Sequence, residues 1–351
     1  MSERKKTVVI LTPGFPENED DTTCMPFLQD YLSAFTRLYP SVNFKIVSFQ
    51  YPFRRGHYLW KGISVYSAGG MTKKGLSRLR IWLKVWRELK RIERENGIDV
   101  IHSLWLTECA LIGQWFAKKY RIKHVAYAIG QDVLKTNRYL KLLKFNDMTT
   151  IAMSESIAEK FTTYTGYKVK EVVEGGVDIN KASISAEEKT IDIIGVGALT
   201  PLKNYMLLLD IIASLKKDFP KIKVCIIGKG EQEQLLRKKV IVDGLQDMVY
   251  FAGEMPHRDV FSYLNKSKIF LHTSSYEGQS TVMMEALALG LAVVCFDVGR
   301  IHIEGKVFVC RNKDEMVQQL KKLLSLKLDY TPAIIRTADD MARDFMKVYE
   351  L

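Results

Sequence analysis

At 351 residues, with 47% hydrophobic side chains, a mean hydropathy of -0.07 and a net charge of +12, the chain has the length of two domains of about 150–180 residues and enough apolar matter for two cores. Ser2-Glu3-Arg4-Lys5-Lys6 leads into an apolar run too short for a signal peptide, and the longest apolar stretch, Val282 to Phe296, is too short to span a bilayer and carries Glu285. Five cysteines (24, 109, 225, 295 and 310) are odd in number, widely spaced and form no C-x-x-C pair, which argues against disulfides and a zinc site and for a reduced, cytoplasmic protein.

Short β-branched runs alternate with helical patterns, as in parallel sheets joined by crossover helices. In the first half, strands are predicted at Thr7–Thr12, Phe44–Phe49, Asp99–Ser103, His124–Ala128 and Met148–Met153, and helices at 25–38, 77–96, 107–120 and 155–164. Residues 1–172 hold 28 Lys/Arg against 16 Asp/Glu, whereas residues 173–351 hold 24 of each. Between 54 and 94 stand twelve basic side chains with only Glu88 and Glu93 as acids. Either that face is merely solvated, or it meets an acidic surface: nucleic acid, an anionic membrane or a phosphorylated acceptor. Within 77–95, Leu79, Trp82, Trp86 and Leu89 share a stripe expected to lie in the core, flanked by Ile81, Val85 and Ile92.

Val169–Val173 leads through Glu174-Gly175-Gly176-Val177-Asp178 into the polar residues 179–190, the best linker in the chain. A second series follows. Strands are predicted at Ile191–Val196, Lys223–Ile227, Val249–Phe251, Ile269–His272, Ala292–Phe296 and Lys306–Val309, with helices at 204–218, 231–242, 256–265, 280–289 and 313–324. Two α/β units in series make a doubly wound architecture, in which ligands bind beyond the carboxyl ends of the strands.

Three motifs sit at such ends. Gly195-Val196-Gly197-Ala198-Leu199-Thr200-Pro201-Leu202-Lys203-Asn204 leaves a strand and enters a helix; its glycines admit an anion to the backbone and Lys203 adds positive charge. Gly228-Lys229-Gly230 is either a structural turn or a further wall of the same pocket. The third runs from Ser274 through Glu277-Gly278-Gln279-Ser280-Thr281 to Glu285 and Gly290. Glu285 falls in an otherwise apolar helix, so its carboxylate needs partners, either a neighbouring backbone or a ligand's hydroxyl pair. The free N–H groups of residues 278–281 could hold anionic or hydroxyl groups.

With E-G-x-x-x-x-x-x-E-A-x-A-x-G at 277–290, G-x-G-x-L-x-x-x-K-N at 195–204, Gly228-x-Gly230 and Phe251-x-Gly253, the chain resembles retaining glycosyltransferases of the GT-B fold, family 4. The likeness is strong over about residues 190–300 and looser before them. It implies two Rossmann-like domains facing a cleft: 1–172 on the acceptor side, 173–330 for the nucleotide sugar, and a C-terminal helix in 331–351 packing back toward the N-terminal domain. It further implies that Lys203 binds the donor diphosphate, Glu277 the transferred sugar and Glu285 the ribose. Gly197, Asn204, Gly228, Gly230 and the backbone of Gly278, Gln279, Ser280 and Thr281 would line the donor. Gly14, in Pro13-Gly14-Phe15-Pro16, would face the cleft.

Two departures stand out. Ala198 occupies the place of a common arginine, for which Arg300 is the candidate substitute. Ile129-Gly130-Gln131-Asp132 occupies the place of H-G-x-D, leaving Gln131 and Asp132 to bind the transferred sugar or the acceptor.

The resemblance thus implies a hexosyl transfer with retention from a UDP-sugar by default, to a glycan or lipid-linked acceptor in surface polysaccharide biosynthesis. No metal or cofactor is expected, since there is no D-x-D sequence and no His/Cys cluster with ligand spacing. The implied partner for the basic half is the inner membrane leaflet rather than nucleic acid. The rival readings are a non-catalytic nucleotide-sugar-binding protein and a nucleotide-sugar 2-epimerase.

Overall fold

The β-branched runs and amphipathic stretches fold into two strand–helix units in the computed structural model, which describes residues 4–71, 75, 77–179, 188–299, 301 and 303–351. The first unit is Met1–Gly176 with Ala338–Leu351; the second is Val177–Thr337. The division falls within the Glu174–Asp178 stretch, and residues 180–187 of the expected linker lie outside the described residues.

The first unit contains β1 (Thr7–Gly14), α1 (Pro26–Leu38), β2 (Asn43–Tyr51), β3 (Gly56–Trp60), β4 (Ile63–Ser67), α2 (Ser77–Asn96), β5 (Val100–Leu104), α3 (Glu108–Tyr120), β6 (Lys123–Ala128), β7 (Thr149–Ala152), α4 (Glu155–Thr165) and β8 (Glu171–Val172). Its sheet runs β3-β4-β2-β1-β5-β6-β7-β8. Val8 to Leu11 are fully buried in β1, as a strand covered on both faces requires. Val8 and Ile10 pack with Leu28, Tyr31 and Phe35 of α1. Val9 and Leu11, pointing the other way, pack with Ile81, Val85 and Leu89 of α2 and Ile112 and Phe116 of α3.

Two expectations are corrected here. Residues 56–67, read only as part of a basic segment, form an antiparallel hairpin, with Trp60 opposite Ile63 across a two-residue turn at Lys61 (φ 45°) and Gly62 (φ 79°). Both turn residues have the positive φ that tight hairpins demand. In α2 the core stripe is Ile81, Val85, Leu89 and Ile92, while Leu79 is 47% exposed and Trp82 and Trp86 are half-buried.

The second unit contains β9 (Ile191–Val196), α5 (Tyr205–Leu215), β10 (Val224–Ile227), α6 (Glu233–Val242), β11 (Val249–Gly253), α7 (His257–Asn265), β12 (Ser267–His272), α8 (Thr281–Ala288), β13 (Ala292–Cys295), β14 (Val307–Val309) and α9 (Lys313–Leu324). Its sheet is wholly parallel, in the order β11-β10-β9-β12-β13-β14. Successive strands step outward from β9 in one direction and from β12 in the other. The switch point lies between these two strands, and doubly wound sheets bind ligands beyond the carboxyl ends at such a point.

The chain then returns to the first unit as α10 (Ala338–Tyr349). Met341, Phe345 and Tyr349 join Tyr31 and Phe35 in one apolar cluster. Inside it the Tyr349 hydroxyl lies 2.6 Å from that of Tyr31 and 2.7 Å from His102 Nδ1.

Candidate functional site

Beyond β9 the chain passes Gly197 (φ 149°) and makes a single 3-10 turn, Pro201–Lys203, before Asn204 (φ 52°) starts α5 in left-handed backbone. The loop after β10 is pressed against it. Gly197 N donates to Ile227 O and Leu199 N to Lys229 O, each at 2.9 Å. A Cβ on Gly228 would overlap Gly197 O, and one on Gly230 would overlap Leu199 O. The Gly228/Gly230 pair therefore serves close backbone packing, the structural side of the two readings. The loop after β12 clamps the far end of the turn: Thr273 Oγ1 donates to Lys203 O and Ser275 N to Leu202 O, both at 3.0 Å.

These contacts hold Lys203 at the β9/β12 switch point. Its Nζ lies 2.5 Å from Glu277 Oε1, and His272 Nε2 lies 3.2 Å from the same oxygen. Burial alone would raise the Glu277 carboxyl, but the His272 ring and the Lys203 ammonium outweigh it and hold the group at about 2. Burial pushes the His272 ring below its ordinary value, against the pull of Glu277. Around this pair, polar atoms are left over. Ser274 Oγ and Ser280 Oγ are buried without a hydrogen-bond partner among the described residues, although such atoms are normally satisfied. Ser280 is the N-cap residue of α8 yet its hydroxyl makes no capping bond. Gly278, Gln279 and Thr281 complete the approach to that helix, and Gln279 Nε2 contacts Met284 Sδ at 3.4 Å.

Glu285, one turn into α8, is 2% exposed and has a protein partner that the sequence left unseen: His257 Nε2, at the start of α7, lies 2.7 Å from its Oε1. Neither His257 nor His272 was singled out by sequence. Each closes or opens an element predicted correctly in type, but nothing local marks the approach to a glutamate. Among the described residues no group of three or more His, Cys, Asp or Glu side chains could hold a metal ion.

Residues 177–340 match the family described as "Glycosyl transferases group 1". The N-acetylgalactosamine-N,N'-diacetylbacillosaminyl-diphospho-undecaprenol 4-alpha-N-acetylgalactosaminyltransferase of Campylobacter jejuni is 31% identical, over 67% of this chain and 69% of its own. The chain belongs to the group 1 glycosyltransferases. An uncharacterized glycosyltransferase of Haemophilus influenzae is 25% identical over 75% of this chain and 76% of its own. Anabaena HepE, solved in complex with UDP and glucose, superposes with a TM-score of 0.75 at 16% identity, covering 99% of this chain and all of that one. The fold of this glycosyltransferase is GT-B.

The remaining sequence candidates of this glycosyltransferase, Arg300 apart, belong to its first unit. Gly14 ends β1, buried beneath Met25 and Tyr51. Asp132, expected at the transferred sugar or acceptor, is 5% exposed. Its carboxylate accepts from Gly130 N at 2.7 Å, Leu106 N at 2.8 Å and Ile129 N at 3.2 Å. That carboxylate is occupied in fixing the turn after β6, which argues against its reaching the transferred sugar or the acceptor. Ile129 is itself buried. Arg300, the candidate to replace an arginine at Ala198, lies outside the described residues.

Proposed function

We propose that this glycosyltransferase moves a hexose from a UDP-sugar to a glycan or lipid-linked acceptor, with retention, in surface polysaccharide biosynthesis. The observation that carries the reading is the Lys203–Glu277 pair at a sheet switch point, beside two buried hydroxyls, of Ser274 and Ser280, that have no partner among the described residues. An ammonium suits a diphosphate, and a carboxylate ionised down to about 2 accepts hydroxyl hydrogen bonds at any physiological pH. Supporting it, the Campylobacter relative is named for a diphospho-undecaprenol-linked acceptor, and HepE holds UDP and glucose.

In this reading Lys203 and the backbone of Gly197, Asn204 and Gly278 to Thr281 face the donor phosphates and sugar, Glu277 accepts from the transferred sugar, and Glu285 holds the ribose. Breaking the sugar–phosphate bond builds negative charge on the leaving oxygen. Lys203 and the α8 N–H groups stabilise it, an effect of about 10²–10³ in rate per well-placed donor. The departing phosphate takes the acceptor's proton, so no enzymic nucleophile, metal or cofactor enters the scheme. The test is a panel of UDP-, GDP- and ADP-sugars, read by thermal shift and by sugar release. Stabilisation by a UDP-sugar together with sugar release is expected. Binding of UDP with no release on any donor, even with acceptor extracts, would instead make the protein a non-catalytic binder.

The same reading seats the first unit on an anionic inner leaflet. Leu79, Arg80, Leu83, Arg87, Lys90 and Arg94 are all exposed on α2, at spacings that place them on one side of the helix. Arg78 is paired with Glu108, and Arg91 with Glu88 and Glu95; Lys73 and Lys74 lie outside the described residues. Each basic residue near such a surface contributes on the order of 1 kcal/mol. Co-sedimentation with anionic but not zwitterionic vesicles, weakened at high salt, is the expected result. No sedimentation at low salt would refute the seat.

A further inference from the structure

We infer that His257 is a positioning residue, which sets the Glu285 carboxylate for the ribose of the donor nucleotide and thereby makes the site selective for ribonucleotides. The inference rests on the role proposed above for Glu285.

Glu285 is the one charged side chain in α8, and its helix neighbours Met283, Met284, Ala286 and Leu287 are all buried. A carboxylate so deeply desolvated is costly unless hydrogen-bonded, and unless fixed it can turn about its terminal torsion, which is broad. His257 meets both needs. It is the first residue of α7, directly after Pro256. Its ring packs against Phe261, one turn on, with centroids 5.1 Å apart, and its side chain is only 10% exposed. The imidazole is thus held from the side while Nε2 reaches Glu285 Oε1 at 2.7 Å. Opposite a carboxylate oxygen, Nε2 is the ring nitrogen placed to donate. One N–H leaves most of the carboxylate's roughly four lone-pair sites open, which is the acceptor capacity that a vicinal diol with two O–H donors requires. His257 touches no phosphate or sugar in this scheme; it acts through Glu285.

The experiment is calorimetry with UDP and with 2′-deoxy-UDP, on the full chain and on His257→Ala, His257→Gln and Glu285→Gln, with melting curves for each. Full-length protein should prefer UDP over 2′-deoxy-UDP by about tenfold or more, the worth of one charge-assisted hydrogen bond. His257→Ala should weaken UDP by about tenfold while barely changing 2′-deoxy-UDP, so that the preference disappears. His257→Gln, whose amide N–H can take the place of Nε2–H, should restore it. In turnover the same loss should appear in the donor KM, with kcat at saturation nearly unchanged. If His257→Ala does not fold, His257→Asn replaces it, since its shorter amide cannot span the distance. Folded His257→Ala or His257→Asn that keeps the full UDP preference overturns the inference. Should Glu285→Gln also keep it, or the unsubstituted chain ignore UDP, the ribose reading falls first. Loss in Glu285→Gln with retention in His257→Ala overturns the role of His257 alone.

Discussion

Two carboxylates, Asp132 and Glu277, each sit in a loop beyond a strand's carboxyl end, one in each unit, and their environments drive them in opposite directions. Burial pushes Asp132 above the ordinary aspartate value, and the N–H groups of Leu106, Gly130 and Ile129, which pull it down, do not offset that burial. Glu277, half-buried, falls to about 2 because its partners are the His272 ring and the Lys203 ammonium. Asp132 directs its lone pairs at main-chain N–H groups. Glu277 stands in a network with a cation on one side and, in the same loop, hydroxyls without a partner among the described residues. A buried acid ringed by main-chain donors holds a turn, whereas one paired with a lysine beside unsatisfied atoms is equipped to exchange partners with a ligand.

The sharpest way to break this contrast is Lys203→Ala. It should weaken free UDP by about 10- to 100-fold, the range of a charge-assisted hydrogen bond, and cut turnover further; unchanged affinity in calorimetry would remove Lys203 from the phosphates. Glu277→Gln should leave UDP affinity within about threefold but lower kcat by on the order of a hundredfold, because it loses a contact to the transferred sugar alone. The same substitution should flatten acid stability. With its folded pKa depressed, Glu277 stabilises the fold at pH values above its ordinary 4.5, and that contribution is lost as pH falls toward about 2. A melting temperature as acid-sensitive in Glu277→Gln as in the parent would contradict the ion pair. The smallest functional effect belongs to Asp132→Asn. One acceptor oxygen replaces two, so stability should drop by about 1–3 kcal/mol while UDP affinity stays unchanged. A kinetic defect in a fully stable Asp132→Asn would return that residue to the chemistry.

Much of the second unit was legible because its signals are local. The spacing from Glu277 to Glu285 and the Gly197–Lys203 turn each lie within one strand–loop–helix step, where periodicity fixes the geometry. The partners that tune those residues are not local. His272 and His257 reach Glu277 and Glu285 from other elements, and no pattern in a single sequence announces that approach. The main-chain partners of Asp132 were hidden for the same reason, since Leu106 N comes from the loop after a different strand. The α2 stripe shows a second kind of failure. Leu79-Trp82-Trp86-Leu89 and Ile81-Val85-Leu89-Ile92 are both spaced as helix faces, and only packing against β1 selects the latter. In the β3–β4 hairpin, Lys61-Gly62 carried a turn signal, but without the Asn-Gly or Asp-Gly pair that marks such turns most strongly.

The placement of α10 bears on the order in which the protein can be made. A ribosome delivers residues 1–176 first, yet the first unit also includes Ala338–Leu351. Until those residues emerge, Tyr31 and Phe35 lack Phe345 and Tyr349, and the Tyr31 hydroxyl and His102 Nδ1 lack the Tyr349 hydroxyl that both contact. The nascent first unit therefore waits with an apolar face uncovered while the whole second unit is synthesised, on the order of ten seconds or more at 5–20 residues per second. The unit translated first is completed last, and that interval is when the chain is most exposed to misassembly and to chaperones.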